Sequence, residues 1–506
     1  MTHPIVVVGG GLGGLAAATV LAERGLDVTL VERESYLGGR AGAWTDTLSS
    51  GESFEMERGF HAFFRQYYNV RALLRRVDPR LRMLTPLSDY PILAPGGASQ
   101  SFRGLPRRAP FNLLALVART PTIRLRDLPR IRPGAAFDLL AYDAERTYDR
   151  LDDMDAKTYL DSLNFPSEAR RLLFDVFAHS FFNPEERMSA AELQCMFHFY
   201  FTGNPEGLLF DVAREPLSTA IFTPLGRYLE ERGVRVLTST SVHQIDGADV
   251  ETRPQGDVVA STTDTVPGAR ARVRLDSGEV ISASSVVLAL DVRGLKAIAH
   301  RSPLLQSHRE LATSIASLDV TAPFYVWRGY MDRPSAARRH PFVGTTGFGA
   351  VDNISLYHLF EGESARWARR TGGSVVEVHA YGVSESRTKE DLRAECIHAV
   401  RTLYPELASA RLLDERERLD QDCPSFAPGS HRRRPTVDTP VPGIVLAGDF
   451  VRLPFPSALM ERAVASGFSA ANVLLRERGR REEPVDSISS QGLLPRRAVD
   501  WLRLAS

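Results

Sequence analysis

Residues 4–14 constrain this chain more than any others. Pro4-Ile5-Val6-Val7-Val8 is a short β-branched run suited to a central parallel strand, and it leads into Gly9-Gly10-Gly11-Leu12-Gly13-Gly14 and a small-residue helical stretch from Leu15 to Ala22. Strand, glycine turn and helix in that order make a dinucleotide cradle. Gly9 permits the tight turn, Gly11 lets the backbone approach a pyrophosphate, and Gly14 lets helix and strand pack closely, with the helix amino terminus facing the phosphates. A second run, Asp27 to Val31, ends at Glu32, a carboxylate at the spacing that binds adenosine ribose hydroxyls. A glycine-rich turn alone is weak; its strand, helix and acid make it specific.

An α/β fold follows, with a Rossmann-type domain at its centre. Such a sheet needs late strands whose carboxyl ends reach the cofactor. Ser285 to Leu290 and Ile444 to Ala447 have the right composition, and the second runs into Gly448 and Asp449 and then a helical pattern from Ser457. Thr223 to Gly233 reads as a helix ended by glycine, followed by a strand pair, Val234 to Leu237 and Ser241 to Ile245. The cofactor domain is therefore expected in three pieces, 1–75, 223–294 and 439–476. The insertions at 76–222 and 295–438 are too long for loops and are assigned to an α+β substrate domain, helices such as Ala135 to Leu151 and Ala169 to Phe182 over an antiparallel sheet that includes Ser374 to Tyr381. The remainder, 477–506, reads as a charged tail with a short amphipathic helix near its end.

Composition excludes several classes. The chain has 506 residues, with 62 basic and 62 acidic side chains, so no overall field draws it to nucleic acid. Cys195, Cys396 and Cys423 are far apart and contain no CxxC pair, which fits neither a disulfide framework nor a zinc site, and no metal is expected. The start lacks the pattern of a signal peptide, and five glycines break the apolar stretch from Ile5 to Leu21, so a cytoplasmic protein without a membrane span is expected. One stretch departs from neutrality. Arg103, Arg107, Arg108, Arg119, Arg124, Arg126, Arg130 and Arg132 face a single acid, Asp127, and surround the apolar run Phe111 to Val117. Basic residues beside an apolar helix suit peripheral binding to an anionic membrane, which is the reading preferred over a solvated face beside a core helix.

After Glu32, the segment Leu37-Gly38-Gly39-Arg40-Ala41 resembles the flavoprotein superfamily of amine oxidases and carotenoid desaturases. The resemblance implies FAD, with Gly9, Gly11, Gly13, Gly14, Glu32, Arg33, Gly39, Arg40, Val242, Gly448, Asp449 and Met460 as cofactor-binding residues. Asp449 takes a ribityl hydroxyl, and the helix beginning at Met460-Glu461-Arg462 points its amino terminus at the flavin, where charge collects on reduction. The stretches Gly59-Phe60-His61-Ala62-Phe63-Phe64-Arg65-Gln66-Tyr67-Tyr68-Asn69, Gly203 to Asp211 and Pro454 to Ala463 are similar to the bacterial carotene desaturase/methyltransferases, the carotenoid φ-ring or isorenieratene synthases, over nearly the whole chain. Arg462 stands where plant-type carotene desaturases have glycine, which favours the ring enzymes over the linear desaturases.

That resemblance implies a β-carotene-type substrate whose β-ionone ring is desaturated and aromatised with a 1,2-methyl shift. Glu57, His61 and Glu461 are the polar groups expected nearest the flavin edge and are the candidate catalytic proton acceptors. His61 could equally be a core histidine, and Glu57 could pair with Arg58 or Arg65. Phe60, Phe63, Phe64, Tyr67 and Tyr68 are expected to line or pack the cavity. The runs Ser180 to Pro184 and Met196 to Phe201 could wall a hydrocarbon tunnel or fill a core. Open alternatives are a linear carotene desaturase or isomerase, an amine oxidase, and a noncatalytic flavin- or carotenoid-binding carrier at the membrane. The electron acceptor, the oligomeric state and φ- versus χ-ring outcome are not specified by the residues.

Overall fold

The computed structural model describes residues 3–97, 99–119, 137, 139–164, 170, 182–248, 250–252, 258–260 and 268–495. Five parallel strands form the cofactor sheet in the order Arg235–Leu237, Val28–Val31, Ile5–Val8, Ser285–Leu288, Ile444–Leu446. Their register aligns Val8 with Val31 and Leu288, and Leu288 with Leu446. Glu32, Gly9, Ala289 and Ala447 therefore leave the sheet along one edge, the crevice where ligands bind in such folds. Burial on both faces of the sheet explains the unbroken apolar runs: every residue of Ile5–Val8 and Ser285–Leu288 is buried.

Helix Leu12–Glu23 is buried from Leu12 to Ala22, so it has no polar face. Its small residues let it cross the long helix Leu459–Glu477 closely. A Cβ on Gly467 would lie 2.2 Å from the Gly13 carbonyl oxygen. The two ends of the chain thus meet at one helix crossing.

The strands Arg235–Leu237 and Val242–Gly247 do not pair with each other, contrary to the expected strand pair. The first extends the parallel sheet beside Val28–Val31, and the second starts a separate antiparallel sheet with Ala271–Leu275 and Val280–Ala283.

A seven-stranded sheet has the order Leu412–Asp420, Phe324–Met331, Ser374–Ala380, Asn353–Leu356, Phe342–Thr345, Ile92–Leu93, Ser99–Gln100. Its last two strands come from the first insertion and the rest from the second. All neighbours are antiparallel except Phe342–Thr345 with Ile92–Leu93. Strands Phe324–Met331 and Ser374–Ala380 are buried throughout. Tyr325, Trp327, Val376 and Val378 pack with Leu392, Cys396 and Val400 of helix Lys389–Leu403. The alternate residues, Phe324, Val326 and His379, face a cavity.

The helical parts of the first insertion do not share that core. Leu151, Tyr159, Met188 and Met196 belong to the same apolar cluster as Ile5 and Leu15. The expected continuous helix from Ala135 to Leu151 is interrupted, because residues 141–145 are not helical and helix starts again at Arg146. Residues 165–169 and 171–181, most of the second expected helix, lie outside the described residues, as does the amphipathic stretch after Pro495. The tail before it is packed rather than free. Glu483 pairs with Arg24, the Asp486 N–H donates to Asn69, Ile488 is buried, and the Ser489 carbonyl meets His198 Nε2 at 2.8 Å.

Candidate active site

The strand tips open onto one cavity of about 650 Å³ that runs from Glu32 past Gly11, Arg40 and Asp449 to Phe60, His61, Phe342 and Tyr381. That volume is typical of a ligand-sized site. At one end the walls are backbone. Gly38 N–H donates to the Gly10 carbonyl at 2.8 Å, so the second glycine loop lies directly on the first. Gly38 and Gly39 have φ of +110° and +57°, and Gly39 presents its Cα to Gly11, where a Cβ would sit 3.0 Å away. A Cβ on Gly11 would find no atom closer than 3.8 Å, which leaves open space beside its backbone.

Glu32 is buried at the tip of its strand, accepts the Gly10 N–H at 2.6 Å and the Glu34 N–H at 2.8 Å, and keeps one lone pair per oxygen for a ligand. Burial raises its pKa against those two hydrogen bonds. Arg40 Nη2 donates to Asp449 Oδ1 at 2.5 Å, tying the second glycine loop to the turn after Leu446. Gly13, Arg33, Gly39, Val242, Gly448 and Met460 also line the cavity. Gly14 does not. A Cβ there would lie 1.9 Å from the Gly9 carbonyl oxygen, so its role is to let helix and turn pack. A cradle of bare glycine backbone, a buried ribose-type acid and a second acid at a late strand tip fit FAD. Among the described residues no cluster of His, Cys, Asp and Glu could hold a metal ion.

The other end is built of side chains. Phe60 stacks on Phe342 at 4.6 Å between ring centroids and meets Phe210 edge-on at 5.8 Å; Phe64, Tyr67, Tyr90, Tyr200 and Phe182 complete the wall. Phe63 is core and not lining, while Met196, Phe199 and Phe201 are buried in the main apolar cluster, so only Tyr200 of that run reaches the cavity. Phe182 lines it; Ser180 and Phe181 lie outside the described residues.

The three expected proton acceptors separate. His61 lines the cavity, and its buried Nδ1 has no partner within the protein. Burial pushes its pKa down to about 4, so the ring is neutral at pH 7. Glu57 lies behind it. Its carboxylate accepts the Leu217 N–H at 2.8 Å and the Tyr357 hydroxyl at 3.3 Å, away from the cavity lining. Burial raises it to about 7 despite Arg328 nearby. Neither expected arginine pairs with it: Arg58 binds Asp422 at 2.6 Å and Asp420 at 3.2 Å, and Arg65 faces Asp211 at 3.7 Å.

Glu461 is also misplaced by the sequence reading. One residue along a helix turns the side chain by about 100°, so Met460 faces the cavity while Glu461 faces helix Tyr68–Leu74. There it accepts the Asn69 and Val70 N–H groups at 2.9 Å each and caps that helix. Burial outweighs these bonds and lifts its pKa to about 7. Arg462 turns further away, its charge matched by buried Glu192.

Several lining residues were not anticipated. Arg58, Asp422 and Cys423 sit beside Arg40 and Asp449, and Asn353, His379 and Tyr381 project from the seven-stranded sheet. A signal for the last group exists in the sequence: Glu377-Val-His379-Ala-Tyr381 alternates polar and apolar residues inside a strand.

The family model for flavin containing amine oxidoreductases matches residues 12–475. A carotenoid phi-ring synthase of Streptomyces griseus is 46% identical over 488 residues, covering 96% of this chain and 90% of that protein. A second protein of that name, from Chlorobaculum tepidum, is 29% identical over 594 residues, with 96% and 91% covered. A zeta-carotene desaturase of Synechocystis is 24% identical, with 95% and 99% covered. Among solved structures, putrescine oxidase bound to putrescine superposes with a TM-score of 0.67 at 17% identity, over 94% of this chain and 99% of that one. Cyclohexylamine oxidase from Brevibacterium oxydans gives 0.65 at 14%, over 95% and 100%.

Proposed function

We propose, on the premise that this chain belongs to the family of flavin-containing amine oxidoreductases, that it is an FAD-dependent carotenoid oxidoreductase. It converts the β-ionone ring of a β-carotene-type substrate into a trimethylated aromatic φ-ring. The end-to-end likeness to the Streptomyces griseus protein carries this reading. The cavity supports it, since an aromatic, largely apolar wall opens directly onto the glycine cradle.

When bound, FAD supplies a two-electron acceptor for hydride. Per ring, two hydrides and two protons must leave, and one methyl group must move from the quaternary carbon to its neighbour. No methyl donor is needed. The protein's part is to hold the ring against the cofactor, keep water from a carbocation and accept protons. Phe60, Phe342 and Tyr90 line that wall, and aromatic rings shield positive charge without adding a nucleophile. His61, neutral and with a free Nδ1, is a proton acceptor on that wall.

The substrate's source is a membrane, and the surface suits one. Helix Phe111–Arg119 exposes Phe111 at 64% and Leu114 at 62%, with Arg107, Arg108 and Arg119 exposed around them. Peripheral docking on an anionic surface is the reading; Arg124, Arg126, Arg130 and Arg132 lie outside the described residues. No described helix is long and apolar enough to cross a bilayer. Expression in a β-carotene-producing host, with chromatography of the pigments, tests the activity. Aromatic-ring carotenoids are expected; desaturated linear carotenes in a phytoene-producing host, with β-carotene untouched, would select the linear desaturase reading instead.

A further inference from the structure

Glu377, His379 and Tyr381 occupy alternate positions along one strand and its exit, so all three side chains rise from the cavity face of the seven-stranded sheet. Arg328 is the cross-strand partner of Glu377, and Asn353 is the cross-strand partner of His379 from the other side. These five groups form one chain of contacts. Arg328 Nε donates to Glu377 Oε2 at 2.7 Å, His379 Nε2 lies 2.8 Å from Glu377 Oε1, and His379 Nδ1 lies 2.6 Å from the Tyr381 hydroxyl. Asn353 Nδ2 donates to the same hydroxyl at 3.1 Å. His379 and Tyr381 both line the cavity.

The proton positions follow from what each group can do. Arg328 and His379 together outweigh burial and hold Glu377 down at about 2, so it is an acceptor only. His379 Nε2 must then carry the proton it shares with Glu377, which leaves Nδ1 as the acceptor for the Tyr381 O–H. The Phe60 N–H also approaches Nε2, at 3.2 Å, and is secondary to the shorter bond to a charged carboxylate. With its proton turned to His379 and one lone pair taken by Asn353, the Tyr381 oxygen has its second lone pair left. Gly59, at φ +139°, makes room for this imidazole, because a Cβ there would lie 2.8 Å from His379 Cε1. Tyr381 lines the same cavity as Cys423, Arg40 and Asp449, where the glycine cradle gives way to the aromatic wall.

We propose that Tyr381, backed by His379, Glu377 and Arg328, accepts the ring proton released after the methyl shift. This rests on the ring-aromatising reading above. The C–H bond breaks, its electron pair becomes the new ring double bond, and the proton passes to the Tyr381 oxygen as that oxygen gives its own proton to His379 Nδ1. FAD, when bound, would supply the acceptor for the hydride this ring must also lose, so charge and electrons balance. The imidazolium formed lies against an ionised carboxylate, a support His61 lacks. Tyr381 is the catalytic residue of this set, and His379, Glu377 and Arg328 are positioning residues.

The test compares wild type, Tyr381→Phe and His379→Ala as purified flavoproteins given β-carotene. Tyr381→Phe is expected to keep its FAD and bind β-carotene while aromatic product falls at least about a hundredfold, the usual range for a lost proton acceptor. His379→Ala is expected to recover with added imidazole and not with pyrazole, which has the same shape and far weaker basicity. In the flavin-loaded protein, 15N spectra are expected to place the His379 proton on Nε2. A Tyr381→Phe enzyme within twofold of wild type, equal rescue by the two azoles, or a proton on Nδ1 would each overturn the relay. If wild type itself yields no aromatic ring, the ring-aromatising reading falls and takes the relay with it.

Discussion

The two ends of the cavity are made of different materials. The end proposed to hold the cofactor is floored by backbone, with Gly9, Gly11, Gly38 and Gly39 on it, and its charges include Glu32 at one strand tip and the Arg40–Asp449 pair beyond another. The substrate end is side chain: stacked phenylalanines and tyrosines over a buried ionic group, Arg328 with Glu377, drawn from strands 49 residues apart. A backbone wall has no freedom to absorb an added atom. An aromatic wall can repack around a change of shape, but it has no spare partner for a charge left alone in its interior.

That contrast sets the order of what should break. The largest effect is expected at Gly14, where a Cβ would lie 1.9 Å from the Gly9 carbonyl. Gly14→Ala should abolish flavin binding and lower the melting temperature of the flavin-free protein. Gly11→Ala sharpens the point. With no atom within 3.8 Å of the new Cβ, the flavin-free protein should melt as wild type does while FAD binding is lost, as measured by flavin absorbance per chain. Retention of FAD by Gly11→Ala would contradict a pyrophosphate lying on that residue.

At the substrate end, Arg328→Met should be the costliest single change, about 3–5 kcal/mol by urea unfolding, because it leaves Glu377 ionised and buried without its cation. Glu57→Gln should act through pH. Glu57 titrates near 7 in the folded chain against an ordinary 4.5, so the folded state holds a proton that the unfolded state has released. Wild-type stability should therefore fall relative to Glu57→Gln as pH rises from about 4.5 to about 7, by on the order of 3 kcal/mol, and stay level above that. Aromatic product should persist in Glu57→Gln, since its carboxylate faces Leu217 and Tyr357 rather than the cavity. Phe342→Met, which keeps an apolar side chain but loses the ring stacked on Phe60, should cost about 1–2 kcal/mol and leave FAD content unchanged.

The same difference decided what could be read from the residues alone. The cofactor end is coded by contiguous motifs, since a turn that must admit a pyrophosphate needs glycines a few positions apart and an acid at the next strand tip. That Glu32, Arg40 and Asp449 share one cavity was legible for that reason, and so was the meeting of the two chain ends. Glu461 was misread because a motif gives a helix's start but not its rotation: Met460 faces the cavity and Glu461 caps a neighbouring helix. Glu57 was misread because closeness to His61 in the chain does not fix which side of the backbone a carboxylate leaves. Tyr381 was missed although its strand was identified, because the period-2 polar stripe identifies a buried face without saying what it faces. The packed course of 477–495 had no periodic signal, as its contacts are single hydrogen bonds and one apolar residue, Ile488.

The central claim is that one continuous cavity brings a β-ionone ring to a flavin held by the glycine cradle. Anaerobic mixing of the purified yellow protein with β-carotene, followed by its visible spectrum, tests it most directly. Bleaching of the bound flavin together with the appearance of an aromatic-ring carotenoid is the expected result. A flavin that stays oxidised with β-carotene but bleaches with a linear carotene or an amine, or a protein that cannot be loaded with FAD at all, would contradict it.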